Sequence, residues 1–227
     1  MVGWRAVVRL LLTLALMVGL LFGSAGTFRW PMAWAYVVLA LGGTAISRVL
    51  LLRLQPDLAA ERAASLDHKD AKAWDRVLMP IMAIVGPLLL LALTGLDHRF
   101  GWSPPLPLWL MIAAGVVLLL AYLLGNWAMF SNRFFSGTVR IQHDRGHTVV
   151  TTGPYRLVRH PAYASNVLAW AVTPVMLGSL WALIPGAALI VLTVIRTALE
   201  DRTLLEELPG YRLYAERTRW RLLPGIW

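Results

Sequence analysis

Apolar blocks about as long as a bilayer is thick recur along this chain, and they decide what it can fold into. They run over residues 10–22, 30–52, 74–96, 108–130, 162–178 and 181–199. About 20 apolar residues in helical form cross the hydrocarbon core of a membrane. No water is present there to satisfy a backbone N–H or C=O, so such a block takes the form that satisfies its own, the helix. Charged residues make up 15% of the chain, against about 25% in soluble domains. The expected fold is all-α: a polytopic transmembrane helical bundle of about six spans, the last two forming a helical hairpin, followed by a short C-terminal interfacial helix.

The flanking residues refine this outline. Arg5 and Arg9 precede the first block, and the small residues Gly23-Ser24-Ala25-Gly26 follow it. Signal peptides and first membrane helices share that pattern; because a second apolar block follows at once, the first is read as a span. Trp30 and Trp34 suit an interface. Pro80 and Pro87 are expected to kink the third block and Pro174 to bend the fifth, while Pro185 falls in the first turn of the sixth. Residues 53–76 read as a polar loop, 97–107 as a short loop rich in Pro and Trp, and 131–160 as a longer polar segment. The chain divides into N-terminal membrane helices, 1–130, and a carboxy-terminal region, 131–227, of polar segment, helical hairpin and tail.

Six spans put both termini on one side. Of the 21 Lys and Arg residues, Arg29 and Arg99 are those that fall in the far-side loops. The positive-inside rule then puts both termini, 53–76, 131–160 and the tail 200–227 in the cytoplasm, with the chain in the cell's inner, cytoplasmic membrane. The same bias accounts for the net charge of +9 without a nucleic-acid partner. The absence of Cys excludes disulfides, thiolate zinc sites and a Cys nucleophile.

Two polar clusters share that cytoplasmic face. In the first, Pro161 suits the opening position of a helix, which makes His160 the cap and sets Arg159 just outside it. A helix start has unpaired N–H groups and the positive dipole end, so Arg159 and His160 beside it form an anion site; the plainer reading is a basic anchor at the membrane edge. Tyr163 follows His160 by three positions on one helix face, with Asn166 a turn further on. The second cluster is Arg196, Glu200, Asp201, Tyr211 and Tyr214. Arg196 and Glu200 are four apart, which suits a self-satisfied pair at a helix end, and Pro209-Gly210 breaks the helix before the two tyrosines. Together the clusters suit a ligand with an anionic group, a cationic group and hydroxyls. Arg159 would take a carboxylate, Glu200 or Asp201 an ammonium or a ribose diol, and tyrosine faces a sulfonium.

The run Asn132, Phe135, Ser136, Val139-Arg140-Ile141-Gln142, Arg145-Gly146-His147, Gly153-Pro154-Tyr155-Arg156, Val158-Arg159-His160-Pro161 and Tyr163, followed by Arg196, Glu200-Asp201, Leu204, Gly210-Tyr211, Tyr214 and Arg221-Leu222-Leu223-Pro224-Gly225-Ile226-Trp227, resembles the membrane methyltransferases of the isoprenylcysteine carboxyl methyltransferase and phospholipid methyltransferase group. The resemblance covers residues 130–227 and implies that 131–227 is a cofactor-binding catalytic region. It implies S-adenosyl-L-methionine as cofactor and a lipophilic or lipid-like methyl acceptor in the bilayer. It also implies a cofactor pocket of Gly153, Pro154, Tyr155, Arg159, His160, Tyr163, Asn166, Glu200, Asp201, Tyr211 and Tyr214, with Arg196 and Glu200 at the reacting groups. Two positions depart from the pattern. Asp201 stands where a second Glu is usual, and Ala164-Ser165 where a Gly often follows the tyrosine.

Other readings are weighed against this one. An NADPH-dependent enzyme resembling membrane sterol reductases would share the carboxy-terminal pattern, but the chain is short for one. A small transporter or scaffold would place polar groups near the midplane of its spans, whereas these gather at one face. His143 and His147 have a zinc-like spacing, but Gly146 and Thr148-Val149-Val150 argue against a helix there, so no metal is expected. Asn132-Arg133 and Arg140–Gln142 could line the cofactor mouth or bind lipid headgroups, and the second is the preferred reading. Oligomeric state is open.

Overall fold

A computed structural model describes residues 4–65, 68 and 70–227; 1–3 and, from the expected polar loop, 66, 67 and 69 lie outside the described residues. Among those described, the regular structure is helical throughout. The helices are α1 (Trp4–Ala25), α2 (Pro31–Leu54), α3 (Pro56–Ala63), α4 (Asp75–Pro80), α5 (Gly86–Phe100), α6 (Leu108–Ser131), α7 (Pro161–Met176), α8 (Leu183–Glu207) and α9 (Tyr211–Arg217). Prolines open α2, α3 and α7, where the missing N–H has no partner to lose. Glycines with positive φ close α5 (Gly101, φ 64°) and precede α9 (Gly210, φ 83°). Between α4 and α5 the chain makes a π-helical turn, Ile81–Val85. Pro80 and Pro87 bracket it, and neither can donate to the carbonyl four residues back. The expected kink in the third block is thus a widened turn.

Among the described residues, four stretches are long and apolar enough to cross a membrane: Pro31–Leu54, Asp75–Phe100, Leu108–Ser131 and Leu183–Glu207. The 16 residues of α7 rise only about 24 Å at 1.5 Å each, short of a hydrocarbon core of about 30 Å. Two sequence boundaries shift. The expected polar loop 53–76 contains α3 and the first residues of α4. The final apolar block continues as α8 to Glu207, so Glu200 and Asp201 sit on the helix, in register with Arg196, and not in a tail.

Packing gathers the helices around a cavity. α6 lies along α7, α7 along α8, and α1 along α5. Small residues set the α6–α7 spacing, with Ala114, Ala121 and Ala169 buried around Leu118 and Met176. Gly95 sets that of α1 and α5: a Cβ there would stand 2.6 Å from the Leu21 carbonyl oxygen and 2.9 Å from the Ala25 nitrogen. At the end of α5, buried Asp97 accepts hydrogen bonds from the Ser103 N–H (2.7 Å), the Ser103 hydroxyl (2.6 Å) and the Ser179 hydroxyl. One carboxylate thereby ties the α5–α6 loop to the α7–α8 connection.

Candidate active site

The helix start at Pro161 forms as the sequence predicts, with His160 at the cap. Its surroundings are unexpected. The N–H groups of Arg159 and His160 donate to the carbonyls of Trp220 and Arg221, both at 2.9 Å. The tail is therefore strapped along the segment that leads into α7. Below the strap lies Asp201, fully buried on α8. Arg221 Nε donates to its Oδ2 (2.8 Å) and the Tyr211 hydroxyl to its Oδ1 (2.9 Å). His160 Nε2 lies 3.2 Å from the same Oδ1. Arg159 Nε is 3.1 Å from it, yet this buried nitrogen makes no hydrogen bond, so the contact is one of charge and its N–H is still to be satisfied.

A second arrangement holds Arg196 and Glu200. The expected Arg196–Glu200 pair does not form. Arg196 reaches instead to Asp75 at the start of α4, Nε to Oδ1 at 2.7 Å and Nη2 to Oδ2 at 3.0 Å, and also donates from Nη2 to the Gly137 carbonyl (2.8 Å). Asp75 is fully buried and accepts the Val139 N–H as well (2.7 Å). Glu200 accepts a short hydrogen bond from the Tyr163 hydroxyl. The Arg196 guanidinium lies 5.4 Å from the Tyr163 ring centre, and that ring stacks on His160 at 5.7 Å. Asp75 carried no signal in sequence, because it is 121 residues from the Arg it neutralises.

Both arrangements open on one cavity of about 740 Å³. Tyr155, Arg159, His160, Tyr163, Asn166, Arg196, Glu200, Tyr211 and Tyr214 all line it. Gly153, Pro154 and Asp201 do not. Asp201 stands behind the wall and holds the wall's residues in place, and the expectation that it takes an ammonium or a diol meets a carboxylate already occupied by its neighbours. Tyr155 receives Asn132 Nδ2 on its hydroxyl (3.2 Å), while its carbonyl accepts the Tyr214 hydroxyl (2.7 Å). Burial pushes the Tyr214 hydroxyl up to about 12; burial and the Asp201 charge raise that of Tyr211. Both therefore remain protonated donors near neutral pH. The helices ahead of residue 131 also contribute, through Tyr36 on α2 and Tyr122 and Asn126 on α6.

Of the two readings for Arg140 and Gln142, the headgroup one fails: both are buried and internally bonded, and both line the cavity. Arg140 grips Glu61 through Nε (3.2 Å) and Nη2 (2.9 Å), and its Nη1 holds Asp70 (2.8 Å) and Asp144 (2.9 Å). Burial of Arg140 is outweighed by these carboxylates, which raise its pKa. Gln142 donates to the Phe134 carbonyl (2.6 Å) and accepts from Arg145 Nη1 (2.6 Å). His143 opens a 3-10 turn that ends at Gly146, φ 61°. The His147 ring packs on Phe134 at 4.6 Å, with Nδ1 accepting the Gln142 N–H (3.4 Å). Burial first, then the charges of Arg140 and Arg145, bring its pKa down to about 4.

Residues 111–206 match the Isoprenylcysteine carboxyl methyltransferase (ICMT) family. The likeness covers 96 of the 227 residues. The match takes in Arg159, His160, Tyr163, Arg196, Glu200 and Asp201, and stops short of Tyr211, Tyr214 and the strap. Two proteins named "Probable protein-S-isoprenylcysteine O-methyltransferase", from Oryza sativa subsp. indica and subsp. japonica, are each 48% identical over 48 residues, 21% of this chain and 25% of theirs. The "Cobalt-zinc-cadmium resistance protein CzcN" of Cupriavidus metallidurans is 42% identical over 81 residues, 34% of this chain and 37% of that protein. The chain thus matches a quarter of the rice proteins' length and just over a third of CzcN. The ICMT segment begins within α6 and ends on α8, so it encloses α7 and the polar segment before it, while the countercharge at Asp75 lies outside it.

Proposed function

We propose that this protein is an integral membrane methyltransferase that uses S-adenosyl-L-methionine and acts on a lipophilic acceptor at the cytoplasmic face of the membrane. The observation that carries the reading is that Arg159, just ahead of α7, and Glu200 on α8, of opposite charge, line one cavity with Tyr155, Tyr163, Tyr211 and Tyr214. The residues fit the cofactor. The unsatisfied Nε of Arg159 is a buried donor that a carboxylate would complete. Glu200 would take an ammonium, and the faces of Tyr155, Tyr163, Tyr211 and Tyr214 suit a sulfonium. When bound, the cofactor supplies a methyl group already activated on sulfur.

The protein's task is then alignment, which contributes roughly 7–11 kcal/mol to such reactions. Tyr163 holds its proton against Glu200 and orients that carboxylate toward the cavity. Asp75 fixes the Arg196 guanidinium beside the Tyr163 ring, where it presents a permanent positive charge to an anionic or developing-anionic acceptor. Asp201 positions Arg159 and His160 from behind. We assign six crossings to the chain, α1 and the short α7 joining the four long spans, with both termini on the cytoplasmic side. The apolar acceptor would approach between helices while the cofactor comes from the water. The rice relatives are named for isoprenylcysteine, but the match spans a quarter of their length, and the acceptor assigned here is the broader class of lipophilic molecules.

The test is transfer of a tritiated methyl group into lipid extracts of membranes holding the protein. Arg159→Ala and Glu200→Ala are each expected to lose at least tenfold in rate. Full activity in both would refute the reading, and so would binding of NADPH in place of S-adenosylhomocysteine.

A further inference from the structure

The arginines that line the cavity divide into two kinds. Arg140, Arg159 and Arg196 point inward and each meets a carboxylate. Arg48 and Arg62 also line the cavity, yet among the described residues neither has an acidic partner. Arg48 lies near the end of α2, and Arg62 in the last turn of α3. The acid next to Arg62 in sequence, Glu61, points away and is taken by Arg140. Arg62 has instead the face of Phe135, 5.0 Å from its guanidinium. Burial and the charge of Arg48 pull Arg62 down to about 10, so the two cations feel each other. Two like charges turned to one cavity cost energy, and a bound anion removes that cost. The surroundings are amphiphilic. Asn126 and Asn132 offer amide donors, and Leu51 and Met129 form an apolar wall.

We propose that Arg48 and Arg62 form an anion subsite that takes the carboxylate or phosphate of an amphiphile whose chain lies in the bilayer. The acceptor half of this assignment rests on the methyltransferase reading; the binding half does not. If the acceptor itself carries the anion, the subsite selects acidic amphiphiles over neutral ones of equal chain length. If a bilayer phospholipid supplies it, the subsite fixes a lipid in the wall of the cavity. Planar arginine forks bind either oxyanion through paired N–H groups.

The experiment uses the full chain in nanodiscs of phosphatidylcholine. Fluorescent palmitate and the corresponding neutral fluorescent alcohol are titrated in separate samples. Palmitate is expected to bind at least about tenfold more tightly, the lower end of what a hydrogen bond to a charged group provides. Arg48→Gln and Arg62→Gln should each erase most of that preference, and Arg62→Lys should keep part of it, which guards against a loss caused by misfolding. Replacing a fifth of the lipid with phosphatidylglycerol separates the sources. Competition assigns the site to headgroups, and undiminished palmitate binding assigns it to the acceptor's own anion. Equal affinity for the two probes, or a preference that both glutamine variants retain, overturns the proposal. S-adenosylhomocysteine binding is measured on the same samples. Its absence from the unsubstituted protein would refute the methyltransferase reading and leave the anion result standing.

Discussion

Arg221 donates from Nε to Oδ2 of Asp201 at 2.8 Å, fastening the tail to the last long helix. The buried carboxylate it holds is the same one that receives Tyr211 and faces Arg159 and His160. Removing Arg221 leaves Asp201 with one strong charge-assisted contact fewer, worth about 1.5–3 kcal/mol.

Arg221→Ala is therefore expected to loosen the strap without unfolding the helices. Affinity for S-adenosylhomocysteine should fall about tenfold or more by calorimetry, and chymotrypsin should cut at Trp220 faster than in the unsubstituted protein. Arg221→Lys should recover part of both. Unchanged affinity together with unchanged cleavage would mean that the strap does not shape the cavity.

The Asp75–Arg196 pair predicts a non-additive result. Asp75→Ala strands a buried guanidinium and should cost about 3–5 kcal/mol in stability, read as a lowered unfolding midpoint in detergent. Asp75→Leu with Arg196→Met removes both charges and should regain most of that loss. Activity should stay low in both, because the charge beside Tyr163 is gone from one and misplaced in the other. Additive losses in the double variant would contradict a direct pair.

His147 gives the fold a dependence on acid. Its folded pKa, about 4, lies below the ordinary value of 6.5, so folding favours the neutral ring, whose Nδ1 accepts the Gln142 N–H. The stabilisation is complete above about pH 6.5, and is lost as pH falls toward 4 because the unfolded chain takes up the proton first. His147→Gln should flatten the unfolding midpoint across that window. An equal slope in the variant would assign the dependence to other groups.

Two glycine substitutions should move in opposite directions. Gly95→Ala pushes a methyl into the backbone of α1 and should cost about 1–3 kcal/mol. Gly42→Ala meets nothing within 4 Å and should be neutral or stabilise by up to about 1 kcal/mol through helix propensity. Thermal unfolding of both in one detergent decides it, and a drop at Gly42 as large as at Gly95 would remove close helix approach as the cause.

What sequence reveals here follows the range of each interaction. The start of α7 was legible because Pro161 and His160 act on their own backbone. Four of the apolar blocks were legible because a bilayer sets the length of a spanning helix, and Arg159 with Glu200 could be drawn to one cavity because the sequence was expected to put both on one side of the membrane. Arg196 misled because a carboxylate four positions away is the obvious partner, whereas the real one is Asp75, far off in sequence. Arg140 misled for the same reason. A basic residue in a polar segment looks exposed until Glu61, Asp70 and Asp144 are seen to surround it. The residues Arg221–Trp227 stood in the recognised pattern, but their place against Arg159 and His160 was not legible, since those bonds are made by backbone carbonyls.

The bond between Asp75 and Arg196 also limits how such a protein can be recombined. A lineage that exchanged its leading helices for those of another membrane protein would lose activity unless the replacement brought an acid to the same spot. The segment with the family signature is thus not a portable cassette, and variation ahead of it is constrained at one buried residue that local sequence comparison would pass over.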